Sequence, residues 1–136
     1  MLIVATTPFY ELRVAPEINR IYFTAKATLS NPHQVPDFYR DWLGALGHVA
    51  EGFTFLADLS KVETISHNLE ALTVKLQQAM VKAGIFQAAE VFSKEEVEMR
   101  LTQISGLSHY PLNIFDNTQD AERWLDEVVH DHATKE

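Results

Sequence analysis

An apolar strand that leads into an amphipathic helix constrains the fold of this chain more than any other feature. Residues 53–57 form a short apolar run that ends at Asp58, and a polar connection follows. A periodic stripe at three- and four-residue spacing then predicts a helix from about Ser66 to Ala83. Its members are Ile65, Leu69, Leu72, Leu76, Met80 and Ala83. Because a strand, a loop and a helix make half of a βαβ unit, the pattern favours an α/β fold.

The rest of the chain extends this pattern on both sides. Residues 9–14 and 21–27 are separated by a short turn segment and predict an antiparallel pair of strands. Further strands are expected at residues 87–92 and 112–115. The predicted order is ββαβαβαβα, which gives a mixed five-stranded sheet with four main helices. We expect a single domain over residues 1–136, with an ordered core at about 9–130 and a polar, frayed tail.

Local signals set the expected bounds of the other helices. The first regular helix is expected near Pro36, with Val35, Phe38, Trp42 and Leu46 on its apolar stripe. The segment 93–96 matches a capping box for a helix that would end at Gly106. Residues 116–118 offer capping groups for the last helix.

Composition excludes several classes of function. The net charge is −8 and no run of Lys or Arg occurs, so nucleic acid and anionic lipid are not expected partners. There is no cysteine, which excludes disulfides and thiolate chemistry. No signal peptide or transmembrane span is recognised, so we expect a cytoplasmic protein.

The sequence contains no catalytic motif and no set of metal ligands. Its six histidines lack the spacing of a metal site, and no phosphate-binding loop or nucleophile elbow is present. We therefore expect neither an enzyme nor a bound metal or cofactor.

Polar residues follow the predicted strands at one edge of the sheet and form the first candidate site. In parallel sheets, the carboxyl ends of the strands and the following helix starts lie together, where free N–H groups favour anions. The residues are Asp58, Ser60, Ser66, His67, Asn68, Ser93 and Lys94. The alternative is that these residues only cap helices and satisfy loop amides.

The aromatic residues of the first helix form a second candidate site. Phe38 and Trp42 share the apolar stripe, and Tyr39 lies beside it. Core packing is the simpler explanation for such residues. The Pro and Gly residues around this helix would alternatively let it lift over an apolar pocket.

The segment Asp58-Leu-Ser-x-Val-x-x-Ile65, together with the order of elements, resembles STAS domains, the family of anti-sigma-factor antagonists. The similarity is closest to the bacterial group described as STAS/CRAL-TRIO-like. The resemblance implies a STAS-like sandwich with a regulatory serine at a helix start. Here the position of that serine is occupied by Asn68, and Ser66 falls where the family has an aspartate. The resemblance therefore implies the fold without the phosphoserine switch.

These observations predict a non-catalytic regulatory or interaction module. It would act by protein docking or small-ligand binding at the strand-carboxyl edge, and it could form a homodimer. The alternative is a carrier or sensor of an apolar, lipid-like ligand beneath the first helix, with possible peripheral membrane association. A cavity beneath Phe38 and Trp42 would favour the alternative.

Overall fold

The computed structural model of the protein describes residues 1–134, which form one sheet with helices on both faces. The strands are β1 (Leu2–Thr6), β2 (Tyr10–Ala15), β3 (Arg20–Ala25), β4 (Thr54–Leu59), β5 (Gln87–Phe92) and β6 (Leu112–Phe115). The helices are α1 (Phe38–Leu46), α2 (Glu70–Lys82), α3 (Glu95–Ser108) and α4 (Thr118–Thr134). Short 3₁₀ turns lie at Pro16–Ile18, Pro32–Gln34 and His67–Leu69.

The strands lie side by side in chain order, from β1 at one edge to β6 at the other. β1, β2 and β3 are antiparallel, and β3, β4, β5 and β6 are parallel. The predicted α/β class, mixed sheet and four helices are confirmed. The prediction of five strands was wrong, because the sheet has six and the described order is βββαβαβαβα.

The additional strand is β1, which lay outside the expected ordered core. Leu2 and Ile3 are exposed on this edge strand, and the pairing with β2 shifts register between Ile3 and Ala5. The segment therefore lacks the strict alternation of apolar and polar residues that marks a half-buried strand. At the other end, α4 is helical to Thr134, and the fraying expected for the polar tail stays a prediction. Residues 135–136 of the predicted tail lie outside the described residues.

Alternate residues of each strand bury against different helices. On one face, Leu12, Phe55 and Ala88 pack with α1 and α2, and α3 packs beside them on Phe92. On the other face, Leu56 and Ala89 pack against α4. This alternation follows from the two-residue period of a strand. The sheet therefore separates two apolar layers, of which the layer under α1 and α2 is the larger.

A buried arginine fixes α4 to the sheet. Arg20 lies on β3, and its Nε donates to Thr54 Oγ1 at 2.8 Å. Its Nη1 pairs with Glu122 and, at 2.9 Å, with Asp126. Tyr22 Oη also donates to Glu122 Oε1 at 2.7 Å. These contacts satisfy a buried cation that would otherwise be costly.

Two predicted helix signals were wrong. The serine of the supposed capping box, Ser93, donates instead to the carbonyl of Ser60 at 2.5 Å, and Lys94 takes the N-cap position without a side-chain bond. α3 also continues past Gly106 to Ser108, where His109 with φ of 59° forms the C-cap. A capping box formed by Asn31 and Gln34 opens the 3₁₀ turn before α1. At the start of α4, Asn117, one of the residues expected to cap this helix, accepts from the amide of Asp120.

Candidate functional site

An apolar cavity of about 150 Å³ lies between the sheet and the helices α1 and α2. Phe38 and Trp42 from α1 line it, together with Leu72 and Leu76 from α2. The sheet contributes Phe23, Ala25, Phe55, Ala57, Leu59 and Glu90. A cavity beneath Phe38 and Trp42 is the feature that separates the two functions considered from the sequence.

Aromatic rings form the side of the cavity nearest α1. The Trp42 ring lies 5.0 Å from that of Phe55 and 6.0 Å from that of Phe23, measured between centroids. The ring of Phe38 meets that of Tyr10 edge to face at 4.9 Å. Such contacts hold rings in defined positions. The third residue predicted for this site, Tyr39, does not line the cavity, and its ring lies 4.0 Å from Lys75 Nζ.

A carboxyl group lies in this mostly apolar lining. Glu90 is in the middle of β5, on the face that carries Ala88, and only 5% of its surface is accessible. The Tyr110 hydroxyl donates to Glu90 Oε2 at 2.5 Å. Burial raises the pKa of Glu90 to about 7, although the hydrogen bond from Tyr110 opposes this rise. Burial and the neighbouring carboxyl likewise raise the pKa of Tyr110.

A second polar group in the lining is already satisfied within the protein. Gln77 on α2 is buried, and its amide nitrogen donates to Ser105 Oγ at 3.1 Å. The hydroxyl of Ser108 donates to Gln77 Oε1. These bonds join α2 to α3, so Gln77 has a structural role that accounts for its burial.

The charge of the lining limits what the cavity can hold. Among the described residues, the lining contains no Lys, Arg or His, and Glu90 is its one carboxyl group. A buried anionic headgroup would therefore meet a carboxyl group and no cation. Because an unpaired buried charge is costly, the cavity suits uncharged molecules.

The predicted edge site divides into two groups of residues, and the first is held together by its own hydrogen bonds. The register of β4 and β5 pairs Leu59 with Phe92, so Asp58 and Ser93 lie at the same end of the sheet, as the geometry predicted. Asp58 Oδ1 accepts from the amide and the hydroxyl of Ser60, at 3.0 and 2.7 Å. Together with the bond from Ser93 to Ser60, these contacts give this group a structural role.

The second group lies at the start of α2. Ser66 Oγ accepts from the amide of Asn68 at 3.2 Å and donates to the carbonyl of Ser30 at 2.8 Å. His67 and Asn68 are exposed, and His67 Nδ1 lies 3.5 Å from Glu70. Within residues 1–134, no hydrogen bond joins this group to Asp58, Ser60 or Ser93. The absence of a phosphoserine switch here stays a prediction.

The start of α3 carries the wrong charge for an anion. Lys94 is exposed, but Glu95, Glu96 and Glu98 occupy the first turn that follows it. Asp116 lines the same open groove. Carboxylates stabilise a helix start themselves and repel other anions. The anion site suggested by this helix start therefore has weak electrostatic support.

Glu90 was not predicted as a site residue, although the sequence carried a signal. The strand predicted at residues 87–92 reads Gln-Ala-Ala-Glu-Val-Phe, with one carboxyl group among apolar neighbours. A Glu inside a buried strand requires a partner. The partner, Tyr110, is 20 residues away in sequence, so the pair emerges only from the fold.

Within residues 1–134, no cluster of three or more His, Asp or Glu side chains is arranged to hold a metal ion. In the same part of the chain, no helix combines the length and apolar character needed to cross a membrane.

Comparison of the chain with protein-family models, curated proteins and solved structures found no match. The resemblance to STAS domains therefore stays a prediction.

Proposed function

We propose that this protein is a non-catalytic binding module that holds a small apolar ligand in the cavity beneath α1. The observation that carries the proposal is the cavity itself, which lies at the place expected for an apolar ligand and has an almost wholly apolar lining. Small-molecule sites commonly combine such a lining with a few polar groups. Of the two functions considered from the sequence, the cavity favours the ligand carrier or sensor.

The volume sets the size of the ligand. An apolar cavity of about 150 Å³ can hold a molecule of about the size of benzene. A long acyl chain needs more room than this, so a ligand of that kind would require α1 to move. The structure therefore favours a single-ring compound over a whole lipid.

A regulatory role would follow from the position of the cavity. Leu29 lies in the loop after β3, and Val62 and Ile65 lie in the loop after β4, and all three line the cavity. These loops belong to the strand-carboxyl edge. A ligand that orders them would change the surface presented to a protein partner. Binding of an apolar ligand in the cavity would then control protein docking at the strand-carboxyl edge. The resemblance to STAS regulatory modules supports this part of the proposal, as does the cytoplasmic location expected from the sequence.

Toluene binding would test the cavity directly. We expect toluene to shift the amide NMR signals of residues that line the cavity and to raise the melting temperature with concentration. Ala57→Leu adds three carbons at the cavity wall and should abolish these effects. Ala71→Leu adds the same atoms at an exposed position of α2 and should leave them unchanged.

Native mass spectrometry of the purified protein would add a second measurement, since a retained small ligand would identify the natural chemistry. The proposal fails if toluene causes no saturable shift in the wild type. It also fails if Ala57→Leu, shown to be folded, binds toluene as the wild type does.

A further inference from the structure

We propose that Glu90 is the polar anchor of the cavity and selects uncharged single-ring ligands that carry a hydroxyl group. This inference rests on the proposed function, because it concerns the same cavity. The expected ligands are small phenols, of which phenol itself is the simplest probe.

The hydrogen bonds of Glu90 leave it with capacity for a ligand. Tyr110 occupies Oε2, and no other hydrogen bond to this carboxyl group exists among the described residues. The second oxygen, Oε1, is therefore available to a group inside the cavity. A buried carboxyl group with one hydrogen bond is under-satisfied, and a donor supplied by a ligand would complete it.

The other polar groups of the lining compete little for this donor. Both ends of the Gln77 amide are engaged by Ser105 and Ser108. The hydroxyl of Thr73 donates to the carbonyl of Leu69 at 2.9 Å. Trp42 Nε1 is buried without a hydrogen-bond partner among residues 1–134, but as a donor it cannot accept from the hydroxyl group of a ligand. Glu90 is therefore the natural acceptor for a hydroxyl group that enters the apolar space.

The lining also discriminates between headgroups. A ligand carboxylate would face Glu90 without a cation, since the described lining residues include no Lys, Arg or His. A hydroxyl group can donate to Glu90 and carries no charge to desolvate. Aromatic walls from Phe23, Phe38, Trp42 and Phe55 suit a ring.

The protonation state of Glu90 should also change the hydrogen bond between its carboxyl group and the hydroxyl group of the ligand. The ionised carboxylate accepts hydrogen bonds, whereas the protonated acid presents its own O–H. Because burial raises the pKa of Glu90 to about 7, ionisation falls in an accessible range. Within the described lining, the other titratable group facing Glu90 is Tyr110, whose raised pKa keeps it neutral there.

Calorimetric titration with phenol, toluene and benzoate would test the inference. The affinity of phenol should rise by up to about tenfold between pH 6 and pH 8 as Glu90 ionises, while that of toluene stays constant. Phenol itself stays neutral over this range, as a tyrosine side chain does. Benzoate should bind at least about tenfold more weakly than phenol.

Two variants isolate the anchor. Glu90→Gln should remove the pH dependence of phenol binding, and Glu95→Gln at an exposed position of α3 should retain it. The double variant Glu90→Met with Tyr110→Phe replaces both partners by apolar groups of similar size, which favours folding. It should still bind toluene, and the affinity of phenol relative to toluene should fall at least about tenfold.

The outcomes separate this inference from the proposed function. If toluene does not bind the wild type, the cavity is not a ligand site and both fail. If toluene binds but the double variant keeps the relative affinity for phenol, Glu90 is not the anchor and only this inference fails. Loss of phenol preference with retained toluene binding supports both.

Discussion

At the scale of single residues, Glu90 combines a cost in stability with the ligand-binding role proposed for it. A Glu in the centre of a sheet is costly, because burial penalises its charged form. The hydrogen bond from Tyr110 offsets part of this cost. An apolar residue would fill the same place without that penalty, so the cavity retains a carboxyl group at the expense of stability.

The raised pKa of Glu90 predicts a stability that falls as pH rises. The pKa is about 7 in the folded protein against the ordinary value of 4.5, so the folded state retains a proton that the unfolded state has lost between these values. The free energy of unfolding should therefore fall from pH 4.5 to pH 7, by about 3 kcal/mol from this group. This contribution is fully lost only about one pH unit above the folded-state pKa, where Glu90 is ionised in both states.

Urea unfolding of the wild type and of Glu90→Gln across this range measures the effect. Gln does not titrate and can still accept from Tyr110, so the variant should lose this component of the pH dependence. Below pH 4.5 the two proteins should differ least. A parallel pH dependence in both would show that Glu90 does not titrate in this range.

At the scale of elements, sequence periodicity predicted α2 well because tertiary packing and helix period agree there. Leu69, Leu76 and Met80 are buried, as the stripe required. The signals at Ser93 and Gly106 failed for another reason. Ser93 found a partner in the loop after β4, and Gly106 is helical because α3 packs through Ile104 and Ser108. Long-range contacts therefore set both ends of α3, and a local sequence pattern does not contain such contacts.

The same helix provides a test of the layer that surrounds the cavity. Leu76 is buried at 8% exposure, and its truncation to Ala should lower the free energy of unfolding by ~2–5 kcal/mol. Leu72 is partly exposed, so Leu72→Ala should cost less. Gln78→Ala, at an exposed position of α2, should stay within ~0.5 kcal/mol. Urea unfolding would measure the free energy of unfolding of all three variants. Equal decreases for Leu76→Ala and Gln78→Ala would mean that the face of α2 with Leu76 does not pack in the core.

At the scale of the whole molecule, the sequence predicted the layers but neither the full sheet nor its polar interior. The alternation of strands and helices predicted parallel pairing, which β3 to β6 adopt. The edge strand β1 was not predicted because Leu2 and Ile3, which point to opposite faces, are both exposed and apolar, so the segment lacks the alternation of a half-buried strand. The Glu90–Tyr110 pair was not predicted because its two residues are 20 positions apart and no local sequence pattern connects them. The pairing of β1 and the Glu90–Tyr110 hydrogen bond both depend on the tertiary structure.

β1 therefore offers the test of the sheet as a whole. It pairs with β2, whose residues Tyr10, Leu12 and Val14 are almost completely buried, and Val4 packs against the same apolar layer. Deletion of residues 1–6 would unpair the outer backbone edge of β2 and uncover part of this layer. We expect the free energy of unfolding to fall by about 2–4 kcal/mol, with increased aggregation through the open edge.

Ile3→Thr is the matched control, because Ile3 is 61% exposed and Thr retains β-branching. It should change the free energy of unfolding by less than ~0.5 kcal/mol. Urea unfolding would measure both variants, and sedimentation velocity would detect aggregation. If the deletion is as stable and monodisperse as the control, β1 is an accessory strand. The sheet that supports the cavity would then be the five strands from β2 to β6.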